Sequence, residues 1–388
     1  MIDLQSTNIL FFMGYQMTNP EDIAGLTKKL LEEAIRERGQ VNVLIAGRTG
    51  VGKSTLINEI FQGKLAETGQ GRPVTQTTRK ITKEGIPLAI WDTRGLEMDA
   101  FKQTITELER LVISLSHETD HNQHIHVAWL CIHEDGRRVE DAEIELHKTL
   151  SKHMPVIGVI TKSRADQGFR AEVQRLLPET RNVVRVRAIT ETLDEGYILP
   201  SMGLIELVEL TAEVIPDSFR RAFAAAQKAS VQQKKNVARR VVVGAATAAA
   251  AAGASPIPFS DAVILAPIQI SMFASISATF GLELSTAFLS TLTAAATGAT
   301  GATFVGRTIV SNIFKFFPGV GTLAGGVISA STAATITTTL GELYIATLVA
   351  LFANSGGEPP SSEEVVREFK ERLSNAMRHT AFSTSNSN

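Results

Sequence analysis

The residues best placed to do chemistry lie between Val41 and Ser54, in V-N-V-L-I-A-G-R-T-G-V-G-K-S. Gly47 through Ser54 spell G-x-x-x-x-G-K-S. An apolar strand (Val41, Val43, Leu44, Ile45, Ala46) precedes them, and a helical run, T-L-I-N-E-I-F, begins at Thr55. In that context the pattern is a loop that cradles a phosphate chain. Its glycines let the backbone N–H groups of Gly47, Arg48, Thr49, Gly50, Val51, Gly52, Lys53, Ser54 and Thr55 turn inward, and the helix N-terminus adds partial positive charge. Lys53 supplies a cation for the β- and γ-phosphates, and the Ser54 hydroxyl supplies a ligand for Mg²⁺. The chemistry implied is binding of a nucleoside triphosphate.

A second apolar run, I-P-L-A-I-W, ends at Asp92-Thr93-Arg94-Gly95, 39 residues after Lys53. A carboxylate at such a strand end holds Mg²⁺ through water, and the Gly95 amide stands beside the γ-phosphate. Further strands are expected at H-V-A-W-L-C-I (126–132) and P-V-I-G-V-I (155–160). Their alternation with helical patterns marks an α/β fold with a mainly parallel sheet and flanking helices. The last of these strands runs into Thr161-Lys162.

The order G-R-T-G-V-G-K-S, a threonine-rich loop, D-T-R-G and then T-K resembles the translation-factor-like GTPases, particularly their Era, septin and immunity-associated branch. The resemblance covers residues 41–215. Beyond residue 216, S-P-I-P-F-S-D-A and F-P-G-V-G resemble the YcjF-type helical domain, over about residues 250–350. The two together suggest a bacterial-type GTPase fused to that domain. The resemblance implies GTP and GDP as ligands, Mg²⁺ as cofactor and hydrolysis of the terminal phosphoric anhydride bond. It makes Lys53, a switch threonine and Gly95 the catalytic contacts.

Several positions depart from the family pattern. The guanine motif [NT]-K-x-D has arginine at 164, and Asp166 comes two residues later. A carboxylate must accept from guanine N1 and its amine to reject adenine. Asp166 does this if the loop bulges; otherwise it caps a turn. Arg187-Ala188, after V-V-R-V, falls where the family contacts the base by backbone. In P-V-T-Q-T-T, Thr75 is the first choice as Mg²⁺ ligand and Thr78 the second. Leu96 stands where Ras-type enzymes have a water-orienting glutamine, and Gly50 where potassium-activated relatives have asparagine. Slow intrinsic hydrolysis is therefore expected, completed by a second copy across the nucleotide or by another protein. Arg48 and Arg94 are candidate arginine fingers or solvated structural arginines.

These site residues require elements to position them, and the 388 residues suffice for two domains with tails. The expected division is an N-terminal extension with an amphipathic helix (1–40), a G domain (41–215), a basic linker with an apolar helical domain (216–353), and a C-terminal amphipathic helix with a tail (354–388). In the extension, Asn19 caps and Pro20 opens a helix with Ile23, Leu26, Leu30, Leu31 and Ile35 on one face, packing on the G domain or a partner. Ser361 and Glu364 read as a capping box before Val366, Phe369, Leu373 and Met377.

A net charge of −2 and a pI near 6.5 give no nucleic-acid footprint. The single cysteine, Cys131, excludes an internal disulfide and fits a reducing, cytoplasmic setting. N-I-L-F-F-M, preceded by Asp3, does not read as a cleavable signal. Seven of the eight histidines lie between 117 and 153; His117 and His121 share a face if their segment is helical, which makes a metal site conceivable, but H-E-T-D-H-N-Q-H-I-H has no metal-ligand signature and reads as a solvated loop.

From Ser218 to Arg240 there are seven basic residues and no acid, and from Val241 to Ala353 only five charges. The uncharged stretches 241–260, 262–282, 284–306 and 316–341 are each long enough for a membrane-spanning helix of about 20 residues. They are rich in small residues, which permit close helix packing in lipid or in a soluble bundle. Pro256, Pro258, Pro267 and Pro318 are expected to break or kink these helices. A basic helix ahead of an apolar block suits the anionic cytoplasmic face of a membrane. The alternatives are a soluble switch whose helical domain binds a protein, and a membrane-remodelling or pore-forming effector gated by the G domain.

Overall fold

Runs such as V-N-V-L-I-A and V-I-G-V-I-T are too apolar to lie on a sheet with one solvated face. They form strands buried on both sides, as a mainly parallel sheet covered by helices requires. The computed structural model describes residues 20–68, 70–75, 78–93, 101–253, 261–297 and 329–385. These fall into two compact units: Arg38–Gln233, and the described residues of Met1–Glu37 together with those of Lys234–Asn388.

The first unit carries β1 (Val41–Ala46), β2 (Gln70–Pro73), β3 (Thr78–Thr82), β4 (Leu88–Thr93), β5 (Val127–His133), β6 (Val156–Thr161) and β7 (Val183–Arg185) in the order β2-β3-β4-β1-β5-β6-β7. β1 pairs in parallel with β4 and β5, and β5, β6 and β7 continue in parallel. β2 and β3 join antiparallel at one edge. Alternate residues face opposite layers. Val43 and Ile45 point into one core with Phe61 and Trp129. Leu44 and Ala46 point into the other, with Ile105 and Leu108 of the helix Phe101–Ser116. Two short strands, β8 (Glu191–Thr192) and β9 (Ile198–Leu199), form a separate hairpin.

The compact unit that holds the sheet runs past 216, to Gln233. The helix Arg220–Ala226 belongs to the sheet's unit: Phe219, Ala222, Phe223 and Ala226 are buried in its core. Phe61 stacks on Trp129 at 5.6 Å between centroids and meets Phe223 edge-on at 6.1 Å. Gln62 N–H donates to Ala226 O (2.9 Å) and Lys228 N–H to Ile60 O (2.8 Å). The basic count over 218–240 concealed this, because the two phenylalanines, not the charges, fix where the segment packs.

The second unit contains the helices Pro20–Arg38, Val231–Gly253, Asp261–Phe280, Thr286–Thr297, Ala330–Asn354 and Ser362–Ser385, the first and second crossing the unit boundary by their ends. The N-terminal helix starts at Pro20, and its Leu26 and Leu30 cluster with Ile270, so within this unit it packs on the helical domain. Ile35, placed by periodicity on the same face, is 43% exposed. Asn19 lies outside the described residues. Pro267 sits within Asp261–Phe280 without ending it; Pro256, Pro258 and Pro318 lie outside the described residues. The capping box is present: Ser361 N–H donates to Glu364 Oε2 (3.0 Å) and Glu364 N–H to Ser361 Oγ (3.3 Å). Val365 and Phe369 are the buried residues of that helix's first turns, with Val366 only partly covered.

Among the described residues one helix, Ala330–Asn354, is long and apolar enough to cross a membrane, and half of its most apolar window is buried in the protein. It includes Glu342, which binds Arg239 through both carboxylate oxygens. Lys234 is fully buried: its ammonium donates to Phe280 O at 3.1 Å and lies 5.3 Å from the Phe352 ring. The basic run is therefore not one solvated face.

Candidate functional site

Fully buried β1 delivers the chain to Gly47, whose φ of 146° carries it under Cys131; a Cβ there would stand 2.5 Å from Cys131 O. Gly50 and Gly52 also have positive φ, 78° and 103°, and Gly52 N-caps the helix Lys53–Ile60. Val51 N–H donates to Arg48 O (3.3 Å), and Leu56 N–H to Gly52 O (3.0 Å). The Lys53 ammonium donates across the loop to Gly47 O (2.7 Å) and Arg48 O (3.1 Å). Ser54 and Thr55 are exposed on the first helical turn. A glycine-rich loop with a cation across it and a helix N-terminus behind fits a polyphosphate. Arg48 points elsewhere: its guanidinium binds Glu140 at 3.2 Å, a structural role rather than that of an arginine finger.

The parallel register of β1 with β4 sets Ile45 beside Asp92, next to the strand that feeds the loop. Asp92 is 9% exposed and accepts from Arg79 Nη2 at 3.3 Å, Arg79 being its cross-strand neighbour on β3. Thr75 Oγ accepts from Thr78 N–H (3.0 Å), and Thr75 N–H donates to Thr78 O (3.2 Å), so Thr75 closes a turn at the head of β3. Thr78 is buried, 1% exposed, opposite Thr93, and its hydroxyl has no hydrogen-bond partner. Ser54, exposed at the end of the loop, and Asp92, on the strand beside β1, each carry hard oxygens of the kind Mg²⁺ takes. Gly95, Arg94, Leu96 and Thr77 lie outside the described residues.

On the base side, Thr161 Oγ donates to Val51 O (2.7 Å) and Ile132 O (3.1 Å), pinning the end of β6 to the phosphate loop. Lys162, at φ 52°, lays its stem over Gly52: its Cε is 3.8 Å from where a Cβ on that glycine would stand. Asp166 does what the capping alternative requires. Its Oδ1 accepts from Arg170 N–H (2.8 Å) at the start of the helix Phe169–Leu176 and lies 3.8 Å from Arg185 Nε. Arg187 is not free to offer its amide, which is paired with Met202 O (3.0 Å); its buried guanidinium binds Ser163 O and Pro200 O. Ala188 packs partly buried against the core.

The sequence reading missed the groups that hold this loop. Arg164, which occupies the guanine-reading position, is bound by both oxygens of Glu191 on β8, and Glu134 after β5 accepts from the loop's backbone. A glutamate directly after an apolar strand was the one available signal.

The histidines divide. The helix ends at Ser116, so His117 and His121 do not share its face. His121 and His124 meet edge-on at 4.7 Å on the surface. His126 is buried: its Nδ1 accepts from Asn42 N–H (2.9 Å) and its Nε2 lies 3.2 Å from His121 O; burial first of all pushes its pKa down to about 4. Among the described residues no group of three or more His, Cys, Asp or Glu is arranged to hold a metal. Burial pushes the Cys131 thiol up to about 12, which leaves it an inert core residue.

A mainly parallel, helix-covered sheet with its glycine loop at the end of β1 and an acid on the neighbouring strand defines a P-loop nucleotide-binding domain of the GTPase class. Comparison with known proteins agrees. Residues 42–162 match the family described as 50S ribosome-binding GTPase, and residues 219–375 match Domain of unknown function (DUF697). The chain is 37% identical over 103 residues to the tRNA modification GTPase MnmE of Cupriavidus metallidurans, covering 25% of this chain and 20% of that protein. It is 26% identical over 171 residues to mouse (Mus musculus) Septin-14, covering 39% of each. It is 34% identical over 140 residues to MnmE of Leptothrix cholodnii, covering 35% of this chain and 24% of that protein. The chain thus spans well under half of these relatives. It carries a P-loop GTPase domain followed by a helical domain of unknown function.

Proposed function

We propose that this protein binds GTP with Mg²⁺, hydrolyses it slowly, and uses the bound nucleotide to switch its helical domain at a membrane face. The observation that carries the reading is the loop itself: three left-handed glycines, Lys53 across them, and Asp92 on the adjacent strand. On binding, Lys53 exchanges the carbonyls of Gly47 and Arg48 for β- and γ-phosphate oxygens. Ser54, Thr75 and Asp92 would hold Mg²⁺, which would supply positive charge beside the phosphates. Thr75 closes a turn with Thr78, and release of that turn on nucleotide binding would make it a switch residue.

Leu96 cannot orient an attacking water and Gly50 has no side chain to offer, so turnover depends on what completes the site. A second copy docking through its G domain is our reading. A soluble switch whose helical domain binds a protein is the second reading, favoured by the burial of half the apolar window of Ala330–Asn354.

The test is nucleotide binding and phosphate release by the purified full chain. Lys53→Ala should abolish tight triphosphate binding, and Ser54→Ala should weaken Mg²⁺-dependent affinity more than metal-free affinity. Labelled GTP bound equally by wild type and Lys53→Ala would refute the assignment.

A further inference from the structure

Glu134 is the first residue after β5, and its side chain is 3% exposed. A buried carboxylate is costly unless every lone pair is used. Here they are used in one place. Oε2 accepts from the backbone N–H groups of Arg164 and of Ala165 (2.9 Å). Oε1 accepts from Arg185 Nη2 (2.8 Å) and Nε (3.1 Å). Burial raises its pKa, but the Arg164 N–H, the Arg185 guanidinium and the Ala165 N–H together outweigh that, and the carboxyl lies below its ordinary range.

All four bonds end on the segment that follows β6 or on the arginine facing it. That segment is held open in an unusual shape: Lys162 at φ 52°, Gln167 at φ 43° and Gly168 at φ 85°. For two non-glycine residues such angles persist only where surrounding bonds enforce them. The same Arg185 Nε that Glu134 fixes lies 3.8 Å from Asp166 Oδ1, the helix-capping carboxylate that the sequence also offers as the guanine reader. Arg164 is meanwhile held by both carboxylate oxygens of Glu191.

We propose that Glu134 is a positioning residue for purine recognition: by clamping the 164–165 backbone and Arg185, it sets where Asp166 stands and so decides guanine against adenine. This rests on the GTP-binding reading above. Glu134 touches no nucleotide in this scheme and acts through Arg185 and the loop. It supplies the rigidity that the lengthened T-K-S-R-A-D motif lacks, since a carboxylate two residues further along a free loop would pay the ordering cost at each binding event.

The test is affinity for GTP, ATP and inorganic tripolyphosphate, measured on the full chain for wild type, Glu134→Gln and, as a second variant, Arg185→Gln. Glutamine keeps the shape of Glu134 but turns an amide donor toward donors. Glu134→Gln should weaken GTP binding about tenfold while tripolyphosphate, held by the phosphate loop alone, changes less than about twofold. Arg185→Gln should act in the same direction. The loss of GTP-over-ATP preference should vanish in an Asp166→Ala background, because both changes then remove the same contact. Wild type that prefers GTP, with Glu134→Gln equally selective or weakened equally for all three ligands, overturns the proposal alone. Wild type that binds tripolyphosphate but not GTP over ATP overturns the guanine reading and this proposal with it.

Discussion

At the scale of single residues, the proposed phosphate contacts and the proposed base contacts can be tested separately. Asp166 is tied to Arg170 N–H and faces Arg185. If it also reads guanine, Asp166→Ala should shrink the GTP-over-ATP preference by a large factor, since the guanine amine loses its acceptor. Asp166→Asn should move preference toward xanthine nucleotides, whose carbonyl replaces that amine. Competition binding with XTP reads this directly, and an unchanged ratio in both variants would place recognition elsewhere.

Glu143 offers a different test. Burial first of all raises its pKa to about 7, against the N–H of Glu140 and the charge of Arg48, which lower it. The folded state thus holds the proton more tightly than the unfolded one. Its contribution to stability is complete below the unfolded value of about 4.5 and is lost as pH rises through about 7. Glu143→Gln should therefore gain on wild type by on the order of 3 kcal/mol between pH 4.5 and 8, followed by urea unfolding. His126 has the opposite sign: with its pKa lowered to about 4, its contribution is present above about 6.5 and lost as pH falls toward 4. The glutamine variant should accordingly lose stability on acidification more steeply than wild type. A constant difference between variant and wild type across the range would rule out a titrating Glu143.

At the scale of elements, the helical unit depends on close approach rather than on large side chains at its crossing points. Gly341 lies where Ala330–Asn354 meets two other helices: a Cβ there would be 2.6 Å from Val242 Cγ2 and 3.0 Å from Met272 Sδ. Gly244, on Val231–Gly253, has nothing within 4 Å of that position. Both substitutions to alanine gain up to about 1 kcal/mol of helix propensity. At Gly341 that gain is opposed by overpacking of about 1–3 kcal/mol against a stiff valine. Gly244→Ala should raise the thermal midpoint and Gly341→Ala should lower it. The same sign for both would mean that the helices are not packed this closely. Nearby, Phe273, Tyr344 and Phe369 meet edge-on at 5.2–5.8 Å, and the Tyr344 hydroxyl bonds Ser277 Oγ at 2.6 Å. A tyrosine in so apolar a site is satisfied by that bond alone among the described contacts.

At the scale of the whole molecule, turnover should report on assembly. If a second copy completes the site, activity per molecule rises with protein concentration, and non-hydrolysable GTP analogues promote dimers that GDP does not. A surface raises effective concentration without new contacts, so anionic vesicles should stimulate hydrolysis. The cations that matter are fewer than the sequence implies. Lys234 is buried and Arg239 is engaged by Glu342; the helix's other two cations are Lys235, half-buried, and Arg240, exposed. Each surface cation is worth about 1 kcal/mol against an anionic leaflet. Reversing Lys235 and Arg240 should reduce stimulation, whereas Lys234→Glu should instead destabilise the helical unit. A rate independent of both concentration and vesicles favours the soluble switch with a separate activating protein.

The phosphate half of the site was legible in the sequence because its requirements are local. Gly47, Gly50 and Gly52 are demanded by backbone angles and by the approach to Cys131, and Lys53 and Ser54 follow them at fixed spacing. The alternation of apolar runs likewise announced the strands, since burial on both faces leaves no polar positions. The surroundings of the loop at 162–168 were decided by tertiary structure. Glu134, Arg185 and Glu191 are far apart in the chain and meet only because β5, β6 and β7 lie side by side and the β8–β9 hairpin reaches Arg164. The same holds for Lys234 and the boundary at Gln233. A charge count reads a basic run as a solvated face, but only the packed helices show which cation is enclosed and which aromatic draws the linker onto the sheet. Spacing along a chain fixes what neighbouring residues do together; what distant residues do together depends on which elements the buried apolar surface brings into contact.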